Sequence, residues 1–182
     1  MSHQLNTWEG QALQYYGGHQ LDTQTFDPII YPGLYSASGL DIMAILLLIH
    51  QRPDPQVDIG AVDMSCPIIV CDLLRQDQPI IYASDSFVQL TGYKRSEILE
   101  RNCRFLQAPG GNVKPRVARK YVDEKTVKKM RKAVDKNTEL QIRVTNFKKN
   151  GQKFTNCLTM IPMQYNSPHF NISVGFQCEM EE

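Results

Sequence analysis

No apolar run in the 182-residue chain is long enough to cross a bilayer. The longest, Ile42 to Ile49, covers eight residues, against the roughly 20 that a transmembrane helix needs. An excess of charge is also missing: 20 Lys and Arg face 19 Asp and Glu, for a net +1. No whole-chain field therefore draws nucleic acid or an anionic membrane, and any binding is local. There is no CxxC pair, and the five cysteines (Cys66, Cys71, Cys103, Cys157 and Cys178) are an odd number. The first residues have neither the basic nor the apolar region of a secretory signal. The expectation is an intracellular chain with reduced thiols and no metal centre. Internal repeats are absent, and 42% hydrophobic residues suffice for one sizeable core plus an extension, which excludes a two-domain enzyme.

Residues 1–37 are rich in Gln, Gly, Tyr and His, poor in aliphatics and without a sustained period, so they read as a flexible arm. From Ser38, the stretch SGLDIMAILLLIHQRP reads as a capped helix ended by Pro53 and apolar almost all round. Such a helix needs a cover, supplied either by the domain's own sheet or by a partner chain. Pro53, Pro55 and Gly60 make the following segment an extended latch, so 38–65 forms an N-terminal cap and 66–182 the core.

Within the core, PIIVCDL and IIYAS read as strands, and SDSFVQLTG and RSEILERNCRFLQ as short helices capped at Ser84 or Asp85 and at Ser96. A Pro- and Gly-bearing loop leads to a helix over Asp123 to Lys136. Three strands close the chain, ELQIRVTNF, QKFTNCLTMIPM and FNISVGFQCE, the first two joined at KKNG. Early strands, central helices and late antiparallel strands predict an α+β fold: an antiparallel five-stranded sheet with helices on one face and an N-terminal helical cap, the PAS arrangement. Strand alternation puts Leu140, Ile142, Val144 and Asn146 on one face, and likewise Phe154, Asn156, Leu158 and Met160. An unpartnered buried amide costs about 1–3 kcal/mol. The two inward Asn side chains therefore imply either backbone and water partners or a polar ring held between sheet and helices.

The hexapeptide Asn102-Cys103-Arg104-Phe105-Leu106-Gln107, followed by Asn146, Asn156 and Gln177, resembles the signature of LOV photoreceptors. The likeness runs from about Gly39 to Glu179. LDIMAILLLI, NFKKNGQ, LTMIP and GFQCE are similar to the fungal LOV proteins of the Vivid/Envoy family, with Envoy expected to be the nearer. This resemblance implies a PAS/LOV core that binds FAD, with FMN as the alternative, and a Cys103 sulfur that adds reversibly to flavin C4a in blue light. It further implies that Asn146 and Asn156 bond the pyrimidine edge, Gln177 faces N5 and O4, Asn102 and Gln107 support the ribityl and dimethylbenzene side, and Arg104 and Arg131 hold phosphate. Leu158, Ile69 and Cys71 are expected to border the ring. The loop from Ala108 to Val122 is longer than in short plant LOV domains and is expected to make room for adenine.

Two features depart from simple expectation. Alternation sets Gln177 with Ser173 and Gly175, opposite Ile172, Val174, Phe176 and Cys178, and so points it outward; the resemblance turns it inward and leaves the apolar side to the 40–49 helix. Glu100 stands where the family usually has Gly.

The resemblance implies a non-enzymatic receptor, cytoplasmic and nuclear, that signals through Gln177 and a latch around Asp63 and Cys66. Its expected output is a light-induced homodimer or association with a LOV-containing White Collar-type transcription factor, modulating light-responsive gene expression and photoadaptation. The rival reading is a flavin or thiol redox sensor acting through Cys66, Cys71, Cys157 and Cys178. No nucleophile and general-base pair points to a flavoenzyme.

Overall fold

The computed structural model describes residues 40–60, 62 and 65–180, all within one compact unit, Tyr35–Glu182. The expected arm (1–37), Ser38 and Asp63 lie outside the described residues. The elements are α1 (Ile42–His50), β1 (Ile68–Asp72), β2 (Ile80–Ala83), α2 (Asp85–Thr91), α3 (Arg95–Ile98), a 3₁₀ turn (Cys103–Gln107), α4 (Glu124–Lys136), β3 (Leu140–Phe147), β4 (Lys153–Met163) and β5 (Ile172–Glu179). The strands form one five-stranded sheet in the order β2-β1-β5-β4-β3, antiparallel at every step. This is the expected PAS/LOV architecture.

Period-2 alternation sorts the sheet residues onto two covered faces. Ile68 and Val70 of β1, Ile161 and Met163 of β4, and Ile172, Val174 and Phe176 of β5 pack with Ile42, Ile45 and Ile49 of α1. On the other face Ile69 joins Phe87, Ile98, Phe105 and Leu106, while Val144 and Leu158 join Met130 of α4. The sheet is thus the middle layer, with α1 the one helix on its outer side among the described residues. Among the described residues no helix is long and apolar enough to cross a membrane.

Helix α1 is capped by Asp41, whose Oδ1 accepts from Ala44 N at 2.9 Å. It closes at His50, with Gln51 N donating to Leu47 O at 2.9 Å, so the chain leaves the helix before Pro53 rather than at it. Three isoleucines bury on the sheet, each contributing about 1.5–3 kcal/mol. The opposite side stays open, with Met43, Leu47 and Leu48 at 53%, 56% and 43% exposure. The expectation of a helix apolar all round holds, and its own sheet covers one half of it.

Of the two caps expected for α2, Ser84 is the one used, its Oγ accepting from Phe87 N at 3.2 Å and from Ile68 N at 2.9 Å. The expected cap of α3 needs correction. Ser96 does not cap α3; it lies within the helix, which starts after Lys94. There the Glu97 carboxylate reaches back to Lys94 N at 2.9 Å and closes the turn from the other side. Beyond α3, Glu100 sits at φ 64°, the left-handed region in which glycine is unstrained. Its exposed carboxylate pairs with Arg75 at 3.0 Å.

The latch after α1 is fastened at one carboxylate. Arg52 Nε meets Glu139 Oε1 at 2.6 Å while its other nitrogens donate to Ile49 O and Val57 O at 2.6 and 2.5 Å. Glu139 Oε2 accepts from Gln56 N and Val57 N at 3.0 and 2.9 Å. Burial raises the Glu139 carboxyl, but the bonds from Arg52, Val57 and Gln56 outweigh it and hold the group below its ordinary value. A depressed carboxyl stabilises above the unfolded pKa, about 4.3, and that contribution is lost as pH falls through the folded value. We expect Glu139→Gln to weaken latch docking by about 1–3 kcal/mol at neutral pH, with a much smaller difference from the parent at acid pH. Faster amide exchange at Gln56 and Val57 checks this.

Candidate functional site

Between the inner face of the sheet and the α2–α4 side lies a cavity of about 600 Å³, within the size range of cofactor pockets. Its floor is built by alternate residues of four strands: Ile69 and Cys71, Val144 and Asn146, Leu158 and Met160, and Ser173, Gly175 and Gln177. Asn102, Cys103, Arg104, Leu106 and Gln107 form the facing wall, and Met130, Arg131 and Val134 of α4 close one side. Asn146, Asn156 and Gln177 are buried at 3%, 1% and 5% exposure. Gln177 faces inward, against the alternation argument and as the resemblance required, because Val174 and Phe176 are taken up under α1.

The three amides form one row. Asn146 Nδ2 donates to Thr145 O at 2.9 Å, Asn156 Nδ2 donates to Asn146 Oδ1 at 2.8 Å and to Gln177 Oε1 at 3.1 Å, and Asn156 Oδ1 accepts from Cys178 N at 3.2 Å. Gln177 Oε1 is thereby committed. Its Nε2 is buried with no hydrogen-bond partner, a state that costs about 1–3 kcal/mol unless an acceptor comes from the cavity. Gly175 lies beside it: a Cβ there would stand 3.0 Å from Ile69 Cγ1 and 3.2 Å from Gln177 Nε2. The floor is therefore kept flat next to an orphaned donor, which suits a planar heteroaromatic ring with an acceptor on its edge.

Cys103 opens the 3₁₀ turn on the facing wall. Asn102 caps that turn, its Oδ1 accepting from Arg104 N at 3.0 Å and lying 4.0 Å from Cys103 Sγ, while its Nδ2 donates to Asp77 O at 2.6 Å. The neighbouring Cys103 thiol, with burial, raises Cys71 well above the ordinary thiol value; Cys103 is lowered by its neighbour Cys71, with the Arg104 guanidinium adding to the effect against burial.

The cavity mouth is cationic. Arg104, Arg116, Arg119 and Arg131 all line it, and Arg104 forms a two-pronged pair with Asp77. The Arg104 bond holds the Asp77 carboxyl below its usual range. Burial and the charges of Arg104 and Arg131 lower Arg119, and the four guanidiniums outnumber the two lining carboxylates, Asp77 and Asp135, which favours an anion such as phosphate. Arg119 Nε also donates to the buried Gln107 Oε1 at 2.9 Å. Beyond Gln107 a second hollow of about 330 Å³ opens among Asn112, Val117, Lys120 and Tyr121 of the long loop.

Residues 65–178 match the PAS domain family. The photo-excited form of the blue-light photoreceptor Vivid is 55% identical, with a TM-score of 0.77 over 80% of this chain and 99% of that one.

The chain belongs to the fungal LOV photoreceptors.

A light-state dimer of Vivid matches at 54% identity and TM-score 0.76, over 81% of this chain and 99% of that one. Blue light receptor lreA of Aspergillus flavus and White collar 1 of Neurospora crassa are each 44% identical, over 84% and 82% of this chain. The chain spans only 18% and 13% of their lengths. LOV domains carry a flavin, and the flat floor, orphaned amide and cationic mouth fit such a group.

Every expected ring-side residue of this LOV domain except Asn156 lines the cavity; Asn156 stands behind Asn146 and Gln177 as the link between them. Cys66 does not reach the cavity: it packs against the α1 cluster, and its carbonyl accepts from Ser84 Oγ at 3.1 Å. Sequence reasoning missed Gly175, although an isolated Gly inside a strand signals close approach, and it assigned Arg119 to loop space only. Asp77 carried no signal. We expect Gly175→Val to lower flavin retention roughly tenfold, the scale of an overpacked contact, with far-ultraviolet circular dichroism unchanged.

Proposed function

We propose that the chain is a non-enzymatic blue-light receptor whose flavin lies between Cys103 and the amide row, and whose output is light-dependent association. The carrying observation is the buried Gln177 Nε2, without a protein partner, in the cavity that Cys103 also lines. When bound, the flavin supplies the light-excited state and the ring carbon C4a to which the Cys103 sulfur bonds reversibly. Cys103, held in place by the Asn102-capped turn, would supply the sulfur and pass its thiol proton to the ring nitrogen beside that carbon. Asn146 and Gln177 offer fixed donors and acceptors that set the ring's orientation.

Gln177 carries the readout. With a flavin bound, Gln177 Nε2 would donate to an acceptor on the ring edge, and a turn of the amide would present Oε1 there and release Asn156 Nδ2. On the opposite face of β5, Val174 and Phe176 pack with α1, so a shift of the strand reaches α1 and the latch. Met43, Leu47 and Leu48 are already exposed on α1, and freed apolar area adds about 25 cal/mol per Å² to association before its entropic cost. The partner is a second copy or a LOV-containing White Collar-type transcription factor, met in cytoplasm or nucleus, through which light-responsive gene expression adapts. The light-state dimer of Vivid and the likeness to White collar 1 support this reading. FAD is the cofactor we assign, on the four guanidiniums at the mouth and the second hollow beyond Gln107.

A second reading, thiol sensing of oxidants, is favoured by one observation: Cys157 and Cys178 stand opposite each other on β4 and β5.

The purified protein is expected to show a structured band at about 450 nm that bleaches in blue light and returns in darkness. Cys103→Ala should keep the band and lose the bleaching; persistence of the bleaching would remove Cys103 from its role. Gln177→Leu should bleach normally yet lose most of the lit-state increase in size. Size-exclusion profiles in light and darkness measure this, and an undiminished shift would refute transmission through β5.

A further inference from the structure

We infer that Cys157 and Cys178 are a redox modification site, closing to a cross-strand disulfide between β4 and β5 when the protein meets peroxide. The two residues are Cα partners in the antiparallel β4–β5 ladder, so their side chains leave the same face of the sheet. On β5, Gln177 N turns to β1, donating to Pro67 O at 2.9 Å, whereas Met180 N turns to β4, donating to Thr155 O at 2.9 Å. By that alternation Cys178 and Cys157 form a hydrogen-bonded pair with Cα atoms about 5.5 Å apart, inside the roughly 4.4–6.8 Å that a disulfide spans. Both are free thiols, Cys157 half-buried and Cys178 exposed, so an oxidant reaches at least one of them.

The chemistry balances with hydrogen peroxide as the oxidant. The Cys178 sulfur attacks a peroxide oxygen, becoming a sulfenic acid and releasing one water. The Cys157 sulfur then displaces that hydroxyl as a second water, so two thiols give up two electrons and two protons. The pair occupies the rung between two site rungs. One side is Asn156 opposite Glu179, the other Leu158 opposite Gln177, and Cys178 N holds Asn156 Oδ1 at 3.2 Å. A covalent tie there fixes Asn156 against Gln177, the two amides that must part for the light signal to leave the cavity. The bond itself stands without the photoreceptor reading; its effect on the light response rests on that reading.

The test is peroxide treatment of the full chain in darkness, followed by non-reducing peptide mapping and thiol counting. A linked Cys157–Cys178 peptide, two thiols lost per chain and recovery with dithiothreitol are expected. Both thiols free after treatment, or a linkage between chains, would overturn the site. In Cys157→Ser the sulfenic acid on Cys178 should persist and be trapped by dimedone; absence of that label while wild type forms the bond would overturn the proposed order of attack. Oxidised wild type should bleach in blue light but show a lit-state size shift reduced roughly threefold, the scale of one weak hydrogen bond, and dithiothreitol should restore it. An unreduced shift in mapped, oxidised protein overturns the coupling, whereas protein that never bleaches overturns the photoreceptor reading and leaves the mapped disulfide in place.

Discussion

The constraint on which this molecule turns is the buried amide row on the inner face of the sheet. Three neutral amides sit on three adjacent strands, at most 5% exposed, and satisfy one another until Gln177 Nε2 is left over. A protein does not keep such a donor in an apolar interior without an acceptor to meet it. The flat floor at Gly175, the thiol on the opposite wall and the cationic mouth are arranged around the same missing acceptor. Remove the row and the cavity is merely a packing defect; keep it and the cavity is a socket for a planar heterocycle.

A second consequence follows from using one sheet as the middle layer. Because neighbouring residues of β5 face opposite sides, Gln177 and Phe176 belong to different worlds, the cavity and the α1 contact, yet are one peptide bond apart. Cofactor chemistry and the outer surface are therefore joined through backbone without a long chain of side-chain contacts. The latch is tied to the start of β3 by Glu139 and Arg52, so α1 rests on the sheet at one place and is anchored at another. Its exposed Met43, Leu47 and Leu48 form apolar surface already available at the outer layer.

Much of this was legible in the sequence. Alternation on β3 and β4 put Asn146 and Leu158 on the cavity side, and NCRFLQ located the thiol and the residues that orient it. Ser84 was readable as a cap because its side chain accepts from a backbone amide only three residues on. Ser96 misled for the converse reason: Glu97 reaches back to Lys94, and from composition alone the two caps look alike. Arg119 was invisible as a site residue because its partner Gln107 lies across a loop whose path no local pattern specifies. Glu100 was visible as a departure, but the left-handed turn it occupies and the Arg75 that pairs with it were not.

The sequence by itself determined the local chemistry: a thiol beside Asn102 and Arg104, amides at strand positions of matching parity, and an apolar segment that had to be covered. These depend on neighbours a few residues apart, where periodicity and side-chain reach decide the outcome. Only the tertiary structure decided which side of β5 faces the cavity. Alternation permits either choice, and the competition between burying Val174 and Phe176 under α1 or Gln177 against the other amides is settled across the whole sheet. The same holds for the Cys157–Cys178 rung and the Arg52–Glu139 tie, which join residues 21 and 87 positions apart. Register and packing, which no short window of sequence contains, bring those pairs together.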